Sequence, residues 1–275
     1  MDLRLCWYSE LGIGVTGATG YIGKSISACA NQKPQLLPAI SDLPREAILI
    51  HLACNISGPQ VLTTNFELDR FVIQEAAGRV KGLIYASGNN VYNLGLKKAV
   101  SDFGPTLDEY GTSKRVGEAL VQSLFPRSWA ILRIADVFGA GQRHGNLFRS
   151  IENAIKARTP LKLYGIGGKI RSYVHTPDLI ACLLHFARSL RAQDGTQIIS
   201  NVCYAESPSV RDILTMIAER AALDIEHVAL DDDRSASDIR SMVPGPFLGF
   251  DIGTFDRAIS DYIVACTSAR PQELP

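Results

Sequence analysis

An α/β fold with a doubly wound parallel sheet is predicted by three features of this 275-residue chain. Short apolar runs alternate with helix-length segments through the first half. The runs are nearly continuous in hydrophobicity, as strands buried on both faces are. A glycine-rich turn joins the first strong run to the first helix, in the order that starts such a sheet.

Taken in order, Leu11 to Thr16 is an apolar run that stops at glycines and reads as a buried strand. Gly17-Ala18-Thr19-Gly20-Tyr21-Ile22-Gly23 follows, and Lys24 to Ala30 has helical character. Ala47 to Ala53 is a second strand and Val61 to Gly78 a helix. Lys81 to Ala86 is a third strand, ending in the polar group Ser87-Gly88-Asn89-Asn90. Asp108 to Leu124 is a helix and Trp129 to Ile134 a strand. After Gly139 the texture changes. Leu147 to Ala157 is helical, and Leu161 to Tyr164 is a strand running into the turn Gly165-Ile166-Gly167-Gly168. Arg171 to His175 is a short strand. Pro177 to Ser189 is a helix with proline in its first turn, and Ser209 to Ala222 a helix capped by Ser209. A last helix covers about Thr254 to Ala265. Asp231-Asp232-Asp233 reads as a solvated turn rather than a metal site. No internal repeat or long linker interrupts the chain.

Lys plus Arg equals Asp plus Glu, at 28 each, so no basic field exists for capturing nucleic acid. The six cysteines, Cys6, Cys29, Cys54, Cys182, Cys203 and Cys266, show no CxxC and no metal-ligand spacing. They read as buried, reduced thiols suited to the cytoplasm. His51, His144, His175 and His185 form no metal set either, and read as packing or turn residues. No apolar run approaches the ~18 residues of a membrane span, and Met1 to Glu10 does not read as a secretion signal.

Gly17, Gly20 and Gly23 have the spacing GxxGxxG. One glycine allows the tight turn, one lets the backbone approach a pyrophosphate, and one lets the helix pack on the strand. The helix start then offers unpaired N–H groups and a partial positive charge to phosphates. Between a strand and a helix near the chain start, this pattern points to a Rossmann-type domain holding a dinucleotide, NAD or NADP. Tyr110-Gly111-Thr112-Ser113-Lys114 opens a helix, and residues four apart share a helix face. The Lys114 ammonium beside the Tyr110 phenol is expected to draw its pKa down from ~10. Tyr110 then exchanges a carbinol proton while hydride moves to or from nicotinamide, and Lys114 also holds the ribose hydroxyls.

Together these residues resemble the extended short-chain dehydrogenase/reductase family, the NAD-dependent epimerase/dehydratase group. Thr16-Gly17 to Gly23 looks like its cofactor turn and Ile50-His51-Leu52-Ala53 like its fourth strand. Tyr85-Ala86-Ser87 through Val91-Tyr92 looks like its serine-bearing strand end, and Tyr110 to Lys114 like its catalytic pair. Leu132-Arg133 through Val137-Phe138-Gly139, Arg171-Ser172-Tyr173-Val174-His175 and Pro246-Phe247-Leu248-Gly249-Phe250 resemble its later landmarks. The resemblance implies catalysis by Tyr110, Lys114 and Ser87. It implies cofactor contacts from Gly17, Gly20, Tyr21, Ile22, Gly23, Asp42, Leu52 and Ala53 as well as Tyr110 and Lys114. It implies substrate contacts from Asn89, Arg143 and Arg171, no metal, a nucleotide-sugar substrate and a homodimer. Residues 1–139, rejoined by 172–200, are expected to form the NAD(P)-binding domain, and 140–171 with 201–275 a smaller substrate-binding lobe.

Three departures bear on activity. Gly88 stands where the resemblance places a catalytic Ser or Thr. Ser87 replaces that group only if the backbone bends, because neighbouring strand residues face opposite ways; Asn89 is a substitute donor. Only about 28 residues separate Gly23 from His51, a short span for two strands and a helix, and Asp42 is either an adenine-side contact or a turn residue. Asp136 stands near the expected diphosphate, where a carboxylate repels phosphate unless arginine neutralises it. The reading is thus an NAD(P)-dependent epimerase or ketoreductase of a nucleotide-activated sugar. Its alternative is a cofactor-binding protein of the same fold with weak or no turnover, serving a structural or regulatory role. A dehydratase is disfavoured because Asn89-Asn90 offers no carboxylate to take a ring proton.

Overall fold

The computed structural model describes residues 3–30, 33–102, 104–142, 147–231, 233 and 235–268. Its elements follow the chain as β1 (Leu5–Tyr8), β2 (Ile13–Thr16), α1 (Tyr21–Cys29), β3 (Gln35–Leu37), β4 (Ile48–His51), α2 (Val61–Ala77), β5 (Gly82–Gly88), β6 (Gly95–Lys98), α3 (Glu109–Leu124), β7 (Ser128–Ile134) and β8 (Asp136–Phe138). Then come α4 (Leu147–Ala157), β9 (Leu161–Tyr164), β10 (Ile170–Arg171), β11 (Tyr173–His175), α5 (Thr176–Ala192), β12 (Gln197–Val202), α6 (Val210–Ala221), β13 (Ile225–Val228), β14 (Ile239–Met242) and α7 (Phe255–Ser268).

A seven-stranded sheet in the order β12-β7-β5-β4-β2-β1-β3 is the frame. The five strands from β12 to β2 run parallel. Side chains alternate across it, as the period of two in a strand requires. Ile48 and Ile50 of β4 join one core with Ile26 of α1 and Leu179 of α5. Leu49, between them, joins the other core with Val72 and Ile73 of α2 and Val121 of α3. Helices therefore cover both faces, and the apolar strand runs are continuous for that reason. Smaller parallel pairings, β10-β14-β6, β11-β8 and β13-β9, lie outside the main sheet.

The N-terminal edge departs from the sequence reading. Leu11 and Gly12 belong to a hairpin turn and not to the strand: Gly12 N–H donates to the Ser9 carbonyl, and its φ of +63° suits glycine. The turn sends β1 back, antiparallel to both β2 and β3. The slot next to β2 is thereby filled by the chain's own start, which accounts for the short span before His51. No helix among the described residues is long and apolar enough to cross a membrane.

Candidate active site

The C-terminal ends of the parallel strands open into a cleft of about 700 Å³, the place where open α/β sheets bind ligands. Ile22 of α1, Leu52 and Cys54 after β4, Gly88 and Asn89 after β5, Tyr110, Asp136 and Arg171 line it. The cleft thus brings together Ile22, at the end of the glycine turn, Tyr110 and Arg171.

The glycine turn is built as a cradle. Gly17 takes a φ of +70°, and a Cβ there would lie 2.8 Å from the Ala53 nitrogen. A Cβ on Gly23 would lie 2.5 Å from Ala18 Cα, so only glycine lets α1 approach the turn this closely. Lys24 N–H makes the first intrahelical bond, to the Gly20 carbonyl at 2.9 Å. The N–H groups of Tyr21, Ile22 and Gly23 precede it and have no carbonyl to reach within the helix. Tyr21 turns its phenol to Thr176 Oγ1, at 2.9 Å, so only its backbone serves this turn. The turn's other end meets the chain start: Gly17 N–H donates to the Leu3 carbonyl, Ala18 N–H to that of Arg4, and Arg4 Nη1 to Thr19 Oγ1. Leu52 and Ala53 N–H groups bond Thr16, through its carbonyl and its hydroxyl. Asp42 is a turn residue: its carboxylate caps the Ala39 N–H at 3.1 Å and does not border the cleft.

Tyr110 sits in the first turn of α3, where Asp108 caps the helix by accepting from Gly111 N–H at 2.6 Å. Gly111 lets this turn press onto the strand end, since a Cβ there would lie 2.1 Å from the Asn90 carbonyl oxygen. Lys114 lies one turn on, 5.8 Å from the Tyr110 ring centre and 4.9 Å from that of Tyr85, and is buried. Burial alone would lower its pKa, but Cys54, Tyr110, Asp69 and Glu118 together hold it above its ordinary value. The expected depression of the Tyr110 pKa is not what the structure produces. Burial raises the phenol, Lys114 pulls against that rise without cancelling it, and Cys54 adds to it. The Cys54 sulfur is 4.0 Å from the phenol oxygen.

Ser87 lines the same cleft as Tyr110, but its hydroxyl is engaged by α3. Pairing of β5 with β7 runs without a break from Gly82 to Gly88, so no bend re-aims the side chain. Its hydroxyl donates to Glu118 Oε1 at 2.6 Å, and the same carboxylate takes a two-pronged bond from Arg133, at 2.9 and 2.7 Å. Gly88 is the residue that faces the phenol: a Cβ there would be 3.8 Å from the Tyr110 ring, in ordinary contact. Asn89 donates to Asp136 Oδ1 at 2.8 Å. Arg171 is 3.7 Å from Asp136 and 2.5 Å from Asp238, which is also 3.1 Å from Lys169. These cations hold the Asp238 carboxyl at a pKa of about 2, against a burial effect that would raise it. Arg143 and His144 fall outside the described residues.

Sequence reasoning missed Asp69. Its carboxylate lies 2.9 Å from His51 Nε2 and accepts from the Tyr85 hydroxyl at 2.6 Å, while Thr16 Oγ1 is 2.6 Å from His51 Nδ1. Burial would raise the Asp69 pKa; the His51 hydrogen bond and then Lys114 outweigh it and keep it low. Gly117 leaves room for this pair: a Cβ there would lie 2.4 Å from Asp69 and 2.0 Å from Tyr85. Asn65 was missed too: it bonds both backbone groups of Asn55 and the Ser113 hydroxyl, tying the Cys54 loop to α3. Among the described residues no cluster of three or more metal-ligand side chains occurs.

The model of the NAD dependent epimerase/dehydratase family matches residues 47–203 of the chain. Among solved structures, MoeE5 in complex with UDP-glucuronic acid and NAD is 21% identical, with a TM-score of 0.75 over 93% of this chain and 98% of that one. MoeE5 in complex with UDP-glucose and NAD is 22% identical, with the same TM-score and coverage. A UDP-N-acetylglucosamine 4-epimerase from Methanobrevibacter ruminantium, in complex with UDP-N-acetylmuramic acid, is 17% identical with a TM-score of 0.71, over 93% of this chain and 97% of that one. At these identities the likeness is one of fold.

Proposed function

Because the chain belongs to the NAD dependent epimerase/dehydratase family, we propose that it binds NAD and interconverts a carbinol and a ketone on a nucleotide-activated sugar, as an epimerase or a ketoreductase. The observation that carries this reading is that Tyr110 lines one cleft together with Ile22, at the end of the glycine turn, and Arg171. Gly17 and Gly23, which leave no room for side chains, and the first-turn N–H groups of α1 fit a dinucleotide pyrophosphate. When bound there, NAD supplies the acceptor and donor of hydride. Tyr110 Oη takes the proton from the sugar hydroxyl and returns it to the oxygen in the reverse direction. Lys114 holds a positive charge beneath the phenol, and that charge offsets part of the cost of forming phenolate in a buried site. Asp108, Asn90 and Gly111 fix the phenol's position. Residues 1–139 with 172–200 serve the dinucleotide, and 140–171 with 201–275 the sugar nucleotide, in a cytoplasmic homodimer.

Gly88 favours a second reading, in which the same cleft holds its cofactor with little turnover. No hydroxyl stands at that position, Ser87 is engaged by Glu118, and the substrate oxygen has one donor fewer.

Identification of the nucleotide released on denaturing the purified protein tests cofactor binding. Screening UDP-sugars for NAD-dependent conversion tests turnover. Tyr110→Phe is expected to lower kcat by about 10²–10⁴-fold while NAD binding, measured by calorimetry, is retained. A variant that turns over normally ends the acid–base assignment. Gly88→Ser separates the two readings: a large gain in rate identifies a site weakened by the glycine, and an unchanged rate one that uses another donor.

A further inference from the structure

A second cavity, of about 510 Å³, lies between α1, α5 and α7 and shares no described residue with the cleft. Its size falls within the range of small-molecule sites, about 300–1,000 Å³. Helical spacing supplies its walls. Tyr21, Ser25, Ala28 and Cys29 lie three and four apart on one face of α1, and Arg257, Asp261 and Ala265 recur every four residues along α7. Alanines at 28, 140 and 265, with Ile180 of α5, leave the space open and make most of the wall apolar.

Most polar groups on this wall are satisfied by the protein. The Tyr21 phenol pairs with Thr176, whose hydroxyl donates to the Phe138 carbonyl at 2.9 Å, and Ser25 donates to the Tyr21 carbonyl at 3.0 Å. Asp178 accepts from the Tyr204 hydroxyl on one oxygen and from Arg257 on the other, at 2.5 Å. Two groups stand apart. His175 is 4% exposed, with its ring stacked on Phe138 at 5.0 Å. Its backbone N–H donates to the Tyr204 hydroxyl, yet neither ring nitrogen has a hydrogen-bond partner among the described residues. Buried polar groups are rarely left so. Burial lowers its pKa against the pull of Asp178 and Asp261, so the ring is neutral near pH 7, with one acceptor and one donor nitrogen. Asp261 is the other: Arg257 Nε approaches it at 3.8 Å, beyond hydrogen-bonding distance. With Asp178 and Asp261 against Arg257 alone, this wall is acidic.

We propose that this cavity is a second ligand site, separate from the catalytic cleft, and that it takes a small amphipathic amine. The apolar body lies against α1 and α7. The ammonium donates to the open nitrogen of His175 and is drawn by the Asp261 carboxylate. An ammonium carries three donors and no acceptor, which suits a wall whose two unsatisfied groups both accept. A carboxylate of the same shape meets two acids for one cation that is already engaged, and like charges disfavour it. The site stands whether or not the cleft turns over a nucleotide sugar.

Calorimetric titration of the full-length protein, with NAD present, using phenethylamine, 2-phenylethanol and phenylacetate tests the assignment with one skeleton and three head groups. The amine is expected to bind about tenfold or more tightly than the acid, with the alcohol between them. Asp261→Asn, at a side chain 60% exposed, is expected to remove most of that advantage. Ala265→Trp, which fills the cavity, is expected to abolish binding of the amine while NAD binding is unchanged. Cys29, exposed and lining the cavity, gives a readout that needs no variant in the site: phenethylamine is expected to slow its alkylation by iodoacetamide several-fold, followed by peptide mass spectrometry. The proposal is overturned if phenethylamine does not bind, if it binds no more tightly than phenylacetate, if Cys29 is not protected, or if a folded Ala265→Trp variant binds it as the unmodified protein does, which would place the amine elsewhere.

Discussion

The two ends of the cleft both surround cations with acids, yet they do so in different solvents. At the Tyr110 end, Lys114 is 2% exposed and shares its surroundings with Tyr110, Cys54, Asp69 and Glu118. At the Arg171 end, Lys169, Arg171 and Arg240 meet on Asp238, whose side chain is 30% exposed. In the first, water cannot screen the charges, so each sets the protonation of the others. In the second, water and salt take up much of the field. Burial therefore couples similar sets of charges strongly at one end and weakly at the other.

Removing one cation from each end gives the largest contrast. Lys114→Met leaves the buried Asp69 with His51 and Tyr85 but without its cation, and breaking such a buried set costs about 3–5 kcal/mol. Lys169→Met removes a side chain that is 45% exposed, from a carboxylate that keeps Arg171. The loss there is expected to stay within about 1 kcal/mol. Urea unfolding of both variants checks the pair; equal losses would mean that burial does not separate the two ends.

A steric version of the contrast uses two glycines. Gly117→Ala places a methyl group 2.0 Å from the Tyr85 oxygen and 2.4 Å from the Asp69 oxygen, both held in a buried network. Overpacking of this kind costs about 1–3 kcal/mol, more than the intrinsic helix preference of alanine, about 1 kcal/mol, returns at the severe end. Gly88→Ala meets only the Tyr110 ring at 3.8 Å in extended backbone, with a φ of −144°, and is expected to change stability by less than about 0.5 kcal/mol. Thermal unfolding ranks them, and a tolerant Gly117 would show that the Asp69 pair is less rigid than its contacts imply.

These two glycines also mark what the sequence made legible. The parallel half of the sheet was plain, because strands buried on both faces leave unbroken apolar runs, as Lys81 to Ala86 and Trp129 to Ile134 do. The glycine turn and the Tyr110–Lys114 pair were legible because each is a local pattern whose spacing fixes its geometry. β1 was not, since Leu5–Tyr8 is a four-residue strand with a half-buried middle and gains its place only by pairing with β2 and β3. The direction of the Tyr110 shift was also hidden. Lys114 four residues on announces an attraction, but the burial that overrides it comes from residues scattered across the chain. Asp69, in α2, and Asp238, just before β14, are equally non-local: nothing in the neighbouring sequence says that His51 or Arg171 will meet them.

The smallest expected effect separates the ends by salt and pH. Asp69 and Asp238 both have native pKa values below their ordinary one, so each adds stability that is fully present above about pH 4–5 and lost as pH falls toward the native value. For Asp238 that loss runs down to about pH 2. Replacing it, as Asp238→Asn, is expected to lower stability at pH 6 and to make less difference with each step toward pH 2. Because its partners Lys169 and Arg240 are partly exposed, raising salt to about 1 M, where the screening length falls to about 3 Å, should shrink the pH 6 difference between the unmodified protein and the variant. The Lys114→Met difference, measured in the same buffers, should hold, since ions do not reach that site. Urea midpoints at two salt concentrations read both. A Lys114 difference that fades with salt as the Asp238 difference does would place water at the Tyr110 end, and the phenol's raised pKa would lose its physical cause.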